Sequence, residues 1–185
     1  MTELMSSFRN RFSGRPAAVL GGGPSLPADM EKLPEGCLMI AVNYHYTVLT
    51  GKNPDFTVFN DHLDSDLILK NYVEKTTAVR VSPDRNSSYS DVEFDVPVWT
   101  GFFSSNTAAW FALWLGCDPV ILCGMDCYQG EAVYCHPSDR DCPAFHYPLD
   151  HYLRPWIEEG KNLLDPVERV KVMSGPLTEV FGAYA

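Results

Sequence analysis

The sequence predicts an α/β domain, Rossmann-like, with a mostly parallel sheet and helices on both faces. Three observations predict it. Six short apolar runs recur along the 185 residues, stretches suited to helices separate several of them, and the first run stops at three consecutive glycines. A strand buried on both faces needs a continuous apolar run, and helices between such strands supply the covering layers. The length fits one domain over residues 1–185 with a sizeable core, residues 1–15 standing as an N-terminal extension.

The first strand is expected at Ala17-Ala-Val-Leu20, ended by the turn Gly21-Gly-Gly-Pro-Ser25. A helix at 29–33 leads to a second strand at 38–42 and a helix at 44–50; a third strand follows at 56–59. A helix at 62–73 and a fourth strand at 78–81 come next, then a polar stretch at 83–95 that reads as an exposed loop. The clearest helix is 104–115. Ser104 or Ser105 caps it, Ala108, Phe111, Ala112 and Leu115 form an i, i+3, i+4, i+7 stripe, and Gly116 ends it. Val120-Ile-Leu-Cys123 is the fifth strand, and a helix at 149–159 precedes a sixth strand at 170–173. Residues 129–148 form a long loop rich in Pro, Gly, Asp and Cys, a length that marks a working loop at an active site.

Composition narrows the function. A net charge of −10 argues against a broad electrostatic grip on nucleic acid or an anionic membrane. No run approaches the roughly 18 apolar residues of a membrane span, and residues 1–15 lack an apolar signal region, so the chain is expected in the cytoplasm. Its six cysteines are then expected as thiols, with Cys37, Cys117 and Cys123 in or beside apolar runs. Phe102, Phe103, Trp110 and Trp114 are aromatics that leave room for a homo-oligomer.

In open parallel sheets the ligand lies beyond the C-terminal strand ends. That rule gathers Gly21, Gly22, Gly23, Pro24, Ser25, Asn43, Asn60, Asp61, His62, Thr100, Gly101 and Asp126 to Tyr128 on one rim. The glycine turn offers backbone N–H groups to an anion, so a phosphate-bearing ligand is expected there. It is neither G-x-G-x-x-G nor a P-loop, because Ser25 and Leu26 follow Pro24 and no Gly-Lys-Ser/Thr occurs. Asp126, after the fifth strand, can hold a ribose hydroxyl, hold a metal, or cap a helix. Tyr128 and Tyr134, six residues apart, either donate phenolic hydrogen bonds to a leaving phosphate or pack as rim aromatics. Late histidines (His136, His146, His151) include a candidate general base. Asn60-Asp-His-Leu-Asp64 either chelates Mg²⁺ or starts a solvated helix. Zinc is not expected: Cys127, Cys135, His136, Cys142 and His146 run C-x7-C-H-x5-C-x3-H, without paired C-x2-C knuckles.

Four blocks carry a resemblance: Leu20-Gly-Gly-Gly-Pro-Ser-Leu26, Val42-Asn-Tyr-His-Tyr46, Thr100-Gly101, and Gly124-Met-Asp-Cys-Tyr-Gln-Gly-Glu-Ala-Val-Tyr134. Together they resemble the bacterial sialyltransferases of glycosyltransferase family 42. They also resemble the related domain of archaeal 6-hydroxymethylpterin diphosphokinases and of flagellin-modifying motility accessory factors. The resemblance implies a nucleotide-dependent transferase in which the glycine turn and Asn43 hold a cytidine nucleotide or CMP-sugar. By the same resemblance Tyr128 and Tyr134 stabilise the departing phosphate, His151 or His146 deprotonates an acceptor hydroxyl, and no metal or other cofactor is required. The chain departs from the family pattern at Gly22, where the family has Asn, and in Val96-Pro-Val-Trp-Thr-Gly101, which lacks the family's Arg. An Mg²⁺-dependent ATP pyrophosphokinase, with Asp61 and Asp126 on the metal, is the alternative. A nucleotide-binding module without catalysis is the third reading.

Overall fold

The computed structural model describes residues 2–83, 88–97, 103–129, 132–136 and 147–185. In chain order its strands are β1 (Glu3–Leu4), β2 (Ala17–Leu20), β3 (Leu38–Val42), β4 (Phe56–Val58), β5 (Val79–Val81), β6 (Val92–Glu93), β7 (Val120–Cys123) and β8 (Val170–Val172). The helices are α1 (Leu26–Met30), α2 (His45–Thr50), α3 (Leu67–Lys75), α4 (Ser104–Trp114), α5 (Leu149–Pro155), α6 (Lys161–Leu163) and α7 (Thr178–Phe181). Six strands make one sheet in the order β5-β4-β3-β2-β7-β8, every pair parallel. β1 and β6 form a separate parallel pair. The fold class is the α/β architecture the apolar runs predict.

Strand residues alternate between two packed layers, as period-2 geometry requires. On one face Ala17, Val19, Ile40, Val58, Val120, Leu122 and Val172 meet Ala108, Phe111 and Ala112 of α4 and Leu115 just after it. On the other, Ala18, Leu20, Ala41, Ile121 and Cys123 meet Leu26 of α1 and Tyr46 of α2. With both faces covered, β2 and β7 have no polar side and are fully buried.

Topology fixes where a ligand can sit. The chain enters the sheet at β2, walks outward through β3, β4 and β5, then returns through α4 to lay β7 on the free side of β2. β2 and β7 run level, with Leu20 opposite Cys123, so the loops leaving their C-terminal ends emerge side by side. This is the switch point of an open parallel sheet, where such folds open a crevice.

Several boundaries differ from expectation. α1 starts at Leu26 rather than at 29, with Pro27 in its first turn, where a missing N–H costs nothing. α3 starts at Leu67 rather than at 62, because the Asp66 carboxylate accepts the N–H groups of Ile68 and Leu69. At α4 neither Ser104 nor Ser105 is the cap: Phe103 occupies that position, and Asn106 Oδ1 reaches back to accept the Phe103 N–H. The helix after Pro148 changes to a π-helical turn at Trp156–Gly160 directly behind Pro155, which lacks an N–H.

Residues 1–15, expected as an extension, contribute to the core. Met5 and Phe8 are buried, Phe8 meets Phe56 and Phe111 edge-on or tilted, and the Trp114 indole N–H donates to the Met5 carbonyl. The stretch 83–95, expected as an open loop, holds β6 and the buried Ser90. Trp110 and Trp114 stack on each other at 5.4 Å with Arg9 over Trp114, and Phe103 stacks on Tyr152; all three are half-buried. Phe102 lies outside the described residues. No described helix is long and apolar enough to cross a membrane.

Candidate active site

A cavity of about 820 Å³ opens at the switch point. Its wall takes Gly21, Gly22, Gly23, Asn43, Asn60, Asp61, Asp126, Tyr128 and Tyr134 from four different connections of the chain. The glycine turn and the two phenols, more than 100 residues apart in sequence, therefore face one space. His45, His62, Ser104 and Ser105 add polar groups, and Phe94, Phe103, Tyr152 and Trp156 make an aromatic side. Thr100, Gly101 and His146 lie outside the described residues, as do 130–131 and 137–146 of the expected active-site loop.

The glycines are required for close approach rather than for unusual torsion angles. A Cβ on Gly21 would stand 2.5 Å from the Gly124 carbonyl oxygen, one on Gly22 2.6 Å from the His45 ring, and one on Gly23 would collide with the Asp126 carboxylate. The turn's N–H groups are also committed in part. Gly21 donates to the Cys123 carbonyl at 2.8 Å, Gly23 to the Gly124 carbonyl at 2.9 Å, and Ser25 to Asp126 Oδ2 at 3.1 Å. The anion held at this turn is thus the protein's own Asp126, which also accepts the Ser25 hydroxyl at 2.9 Å. α1, with five residues, is too short for its N-terminus to form an anion site, and Pro24 and Ser25 stand outside the cavity wall.

Behind the turn lies a residue that sequence reasoning passed over. Asp29 is 1% exposed, and its carboxylate accepts from the Gly124 N–H at 2.9 Å and the Ser174 hydroxyl at 2.6 Å, with the Ser25 hydroxyl that donates to Asp126 standing 3.1 Å away. It ties the loops after β2, β7 and β8 together. The sequence marks Asp29 only as a helix residue; its partners lie up to 145 residues away, beyond any local motif.

Asn43 and Asp61 meet across the ends of β3 and β4. Asn43 sits in the left-handed region at φ 56°, donates from Nδ2 to Asp61 Oδ2 at 3.0 Å, and has a buried Oδ1 without a hydrogen-bond partner among the described residues. An acceptor so placed costs roughly 1–3 kcal/mol unless a ligand or water meets it. Asn60 is tied to α4, its N–H donating to Ser104 Oγ at 3.0 Å and its Nδ2 donating to Thr107 Oγ1 at 2.8 Å. Cys127 and Tyr128 are also left-handed, at φ 51° and 54°. Two successive non-glycine residues in that region carry strain of the kind that clusters at functional sites.

The phenols of Tyr128 and Tyr134 belong to rings 6.5 Å apart at 77°, and Tyr128 also packs on Tyr152 at 5.1 Å. Tyr152 was not singled out in the sequence, although it follows His151 directly. His151 itself is exposed at the start of α5, stacked on Tyr147 at 4.4 Å and edge-on to Tyr152. It stands one ring behind the cavity wall. The histidines on the described wall are His62, already on the strand-end rim, and His45, whose signal is its place two residues after Asn43.

Electrostatically the wall is acidic. Among the described lining residues none is Lys or Arg, while Asp61 and Asp126 both contribute. The thiols are inert: burial pushes Cys127 up to about 12, and raises Cys37 to about 11 and Cys117 to about 12, with Cys123 and Cys135 raised too. These five cysteines are free thiols, and Cys142 lies outside the described residues. Among the described residues no group of three or more His, Cys, Asp or Glu is placed to hold a metal.

No family model matches the sequence, and no curated protein matches it. Solved structures do. The sialyltransferase CstII from Campylobacter jejuni, in complex with cytidine-5'-monophosphate, aligns over 94% of this chain and 86% of its own at a TM-score of 0.58 and 14% identity. The same enzyme with a trisaccharide acceptor and CMP aligns over 92% and 86%, at 0.57 and 15%. A MAf glycosyltransferase from Magnetospirillum magneticum AMB-1 aligns over 66% of this chain and 26% of its own, at 0.42 and 19%. CstII thus falls in the group that the Gly-Pro-Ser-Leu turn and the Asp-x-Tyr-Gln block resemble, and the chain shares its fold.

Proposed function

We propose that this chain is a glycosyltransferase-like transferase that takes a sugar from a CMP-type donor to a hydroxyl acceptor. The observation that carries the reading is the single cavity lined by the glycine turn, Asn43, Tyr128 and Tyr134. The CMP complexes of CstII share this fold and support a nucleotide in that space. Asn43, on the cavity wall, is suited to hydrogen-bond a nucleoside amino or hydroxyl group. Tyr128 and Tyr134 donate to the phosphate as the glycosidic bond breaks, where charge grows on oxygen. His151 or His146 takes the acceptor proton. The acceptor itself is a hydroxyl of unassigned identity.

The wall's charge favours this donor over a polyphosphate. A CMP-sugar brings one phosphodiester charge, whereas ATP brings about four into a cavity whose described wall holds two carboxylates and no Lys or Arg. The pyrophosphokinase alternative therefore requires Mg²⁺ to bridge Asp61, Asp126 and the phosphates.

Thermal shift tests the reading. CMP at 100 times its Kd should add about 2.7 kcal/mol of apparent stability with EDTA present. Stabilisation by ATP only with Mg²⁺ would transfer the assignment to the pyrophosphokinase, stabilisation by CMP without turnover of a CMP-sugar would leave the third, non-catalytic reading, and no response to either nucleotide would overturn the proposal. Tyr128→Phe combined with Tyr134→Phe should lower kcat about 100-fold with the CMP response retained. Unchanged turnover of a CMP-sugar would remove the phenols from the mechanism.

A further inference from the structure

The second candidate tyrosine is held by two histidines from distant parts of the chain. His45 opens α2, is 6% exposed, and its ring fills the space where a Cβ on Gly22 would stand. Its Nδ1 lies 2.9 Å from Nε2 of His136, 91 residues later. The Tyr134 ring stacks on His45 at 4.6 Å and 21°, and lies nearly parallel to His136 at 5.8 Å and 9°. Tyr44 backs the pair, its ring 4.6 Å from His45 and 6.1 Å from His136. One residue on from Tyr134, the Cys135 N–H donates to the Gly22 carbonyl at 2.8 Å. The phenol is fixed from both sides: through its ring by imidazoles, and through its backbone by the glycine turn.

We propose that His45 and His136 are positioning residues that clamp Tyr134 against the Gly22 wall of the cavity. An imidazole–imidazole hydrogen bond joins α2 to segment 132–136, and the flat surface it creates accepts the Tyr134 ring. The cost of ordering a two-torsion aromatic side chain is met in the folded protein rather than when the donor binds. This explains why Gly22 has no side chain: a Cβ there would displace His45 and the stack above it. The catalytic consequence rests on the role proposed above for Tyr134; the clamp itself does not.

Two readouts separate those layers. In aromatic NMR of the tyrosine-labelled chain, the Tyr134 resonance, identified by its loss in Tyr134→Phe, should carry a ring-current shift from the stacked imidazoles. His136→Leu should abolish most of that shift. His136→Gln, whose amide can replace Nε2 in the bond to His45, should keep the stack on His45 and most of the shift. With a CMP-activated sialic acid and water as acceptor, His136→Leu should lower kcat about tenfold with KM within twofold, and His136→Gln should stay within twofold of the parent. In a Tyr134→Phe background the His136→Leu effect should vanish, since both act through one ring. An unmoved Tyr134 resonance in His136→Leu overturns the clamp, as does an undiminished His136→Leu effect in the Tyr134→Phe background. A resonance that moves while turnover stays unchanged upholds the clamp and removes Tyr134 from the reaction.

Discussion

Gly23 shows how tightly the site is built at the level of single residues. A methyl group there collides with the Asp126 carboxylate, which Ser25 holds through its N–H and hydroxyl, and comes within 2.7 Å of the Gly124 carbonyl oxygen, which is backbone. Gly23→Ala should destabilise the fold by about 1–3 kcal/mol, read as a fall in urea midpoint, and should weaken the CMP thermal response. Asp29 is the second point of control. Asp29→Ala removes the acceptor for the Gly124 N–H and the Ser174 hydroxyl and should cost about 1.5–3 kcal/mol. A variant within 0.5 kcal/mol of the parent would show that the three loops hold their places without it. At this scale the sequence was readable where chemistry is local and opaque where it is not. The glycines, Asn43, Asp61, Asp126 and both tyrosines were legible as strand-end residues. Asp29 and the His45–His136 pair were not, because their partners stand 91 to 145 residues away.

Among elements, β2, β3 and β7 begin and end where their apolar runs do, since strands buried on both faces admit no polar residue inside. Helix starts were less legible because side-chain caps decide them: Asp66 moved α3, and Asn106 rather than a serine serves α4. β6 was missed altogether. Its polar surroundings read as loop, yet Arg80 and Asp91 join it to β5 through two side-chain hydrogen bonds of 2.8 and 2.6 Å. The Arg80 guanidinium holds the Asp91 carboxyl below its ordinary range. A carboxyl with a depressed folded value stabilises the fold above its unfolded value, near 3.9, and loses that contribution as pH falls through the folded value. Asp91→Asn should therefore cost about 1 kcal/mol at pH 7, the pair being partly exposed, and the difference should shrink below about pH 4. Urea titrations at pH 7 and pH 3 give the comparison; an equal gap at both would remove the ion pair as its cause.

The whole molecule depends on the N-terminal residues more than their sequence suggests. Phe8 is 2% exposed and bridges β4 and α4 through Phe56 and Phe111. Phe8→Ala should cost about 3–5 kcal/mol, a fall in Tm of roughly 6–20 °C for a domain of this size. A Tm within 2 °C of the parent would make residues 1–15 the extension their composition suggests. The sequence by itself determined the α/β class, the order of alternating strands and helices, and the rim on which strand-end residues gather, because each follows from short-range periodicity and burial. Only the tertiary structure decided that β7 returns beside β2, that the glycine turn encloses the protein's own carboxylate, and that His45 and His136 grip Tyr134. Those are contacts between segments far apart in the chain, and the packing that brings them together leaves no local pattern in the residues that make them.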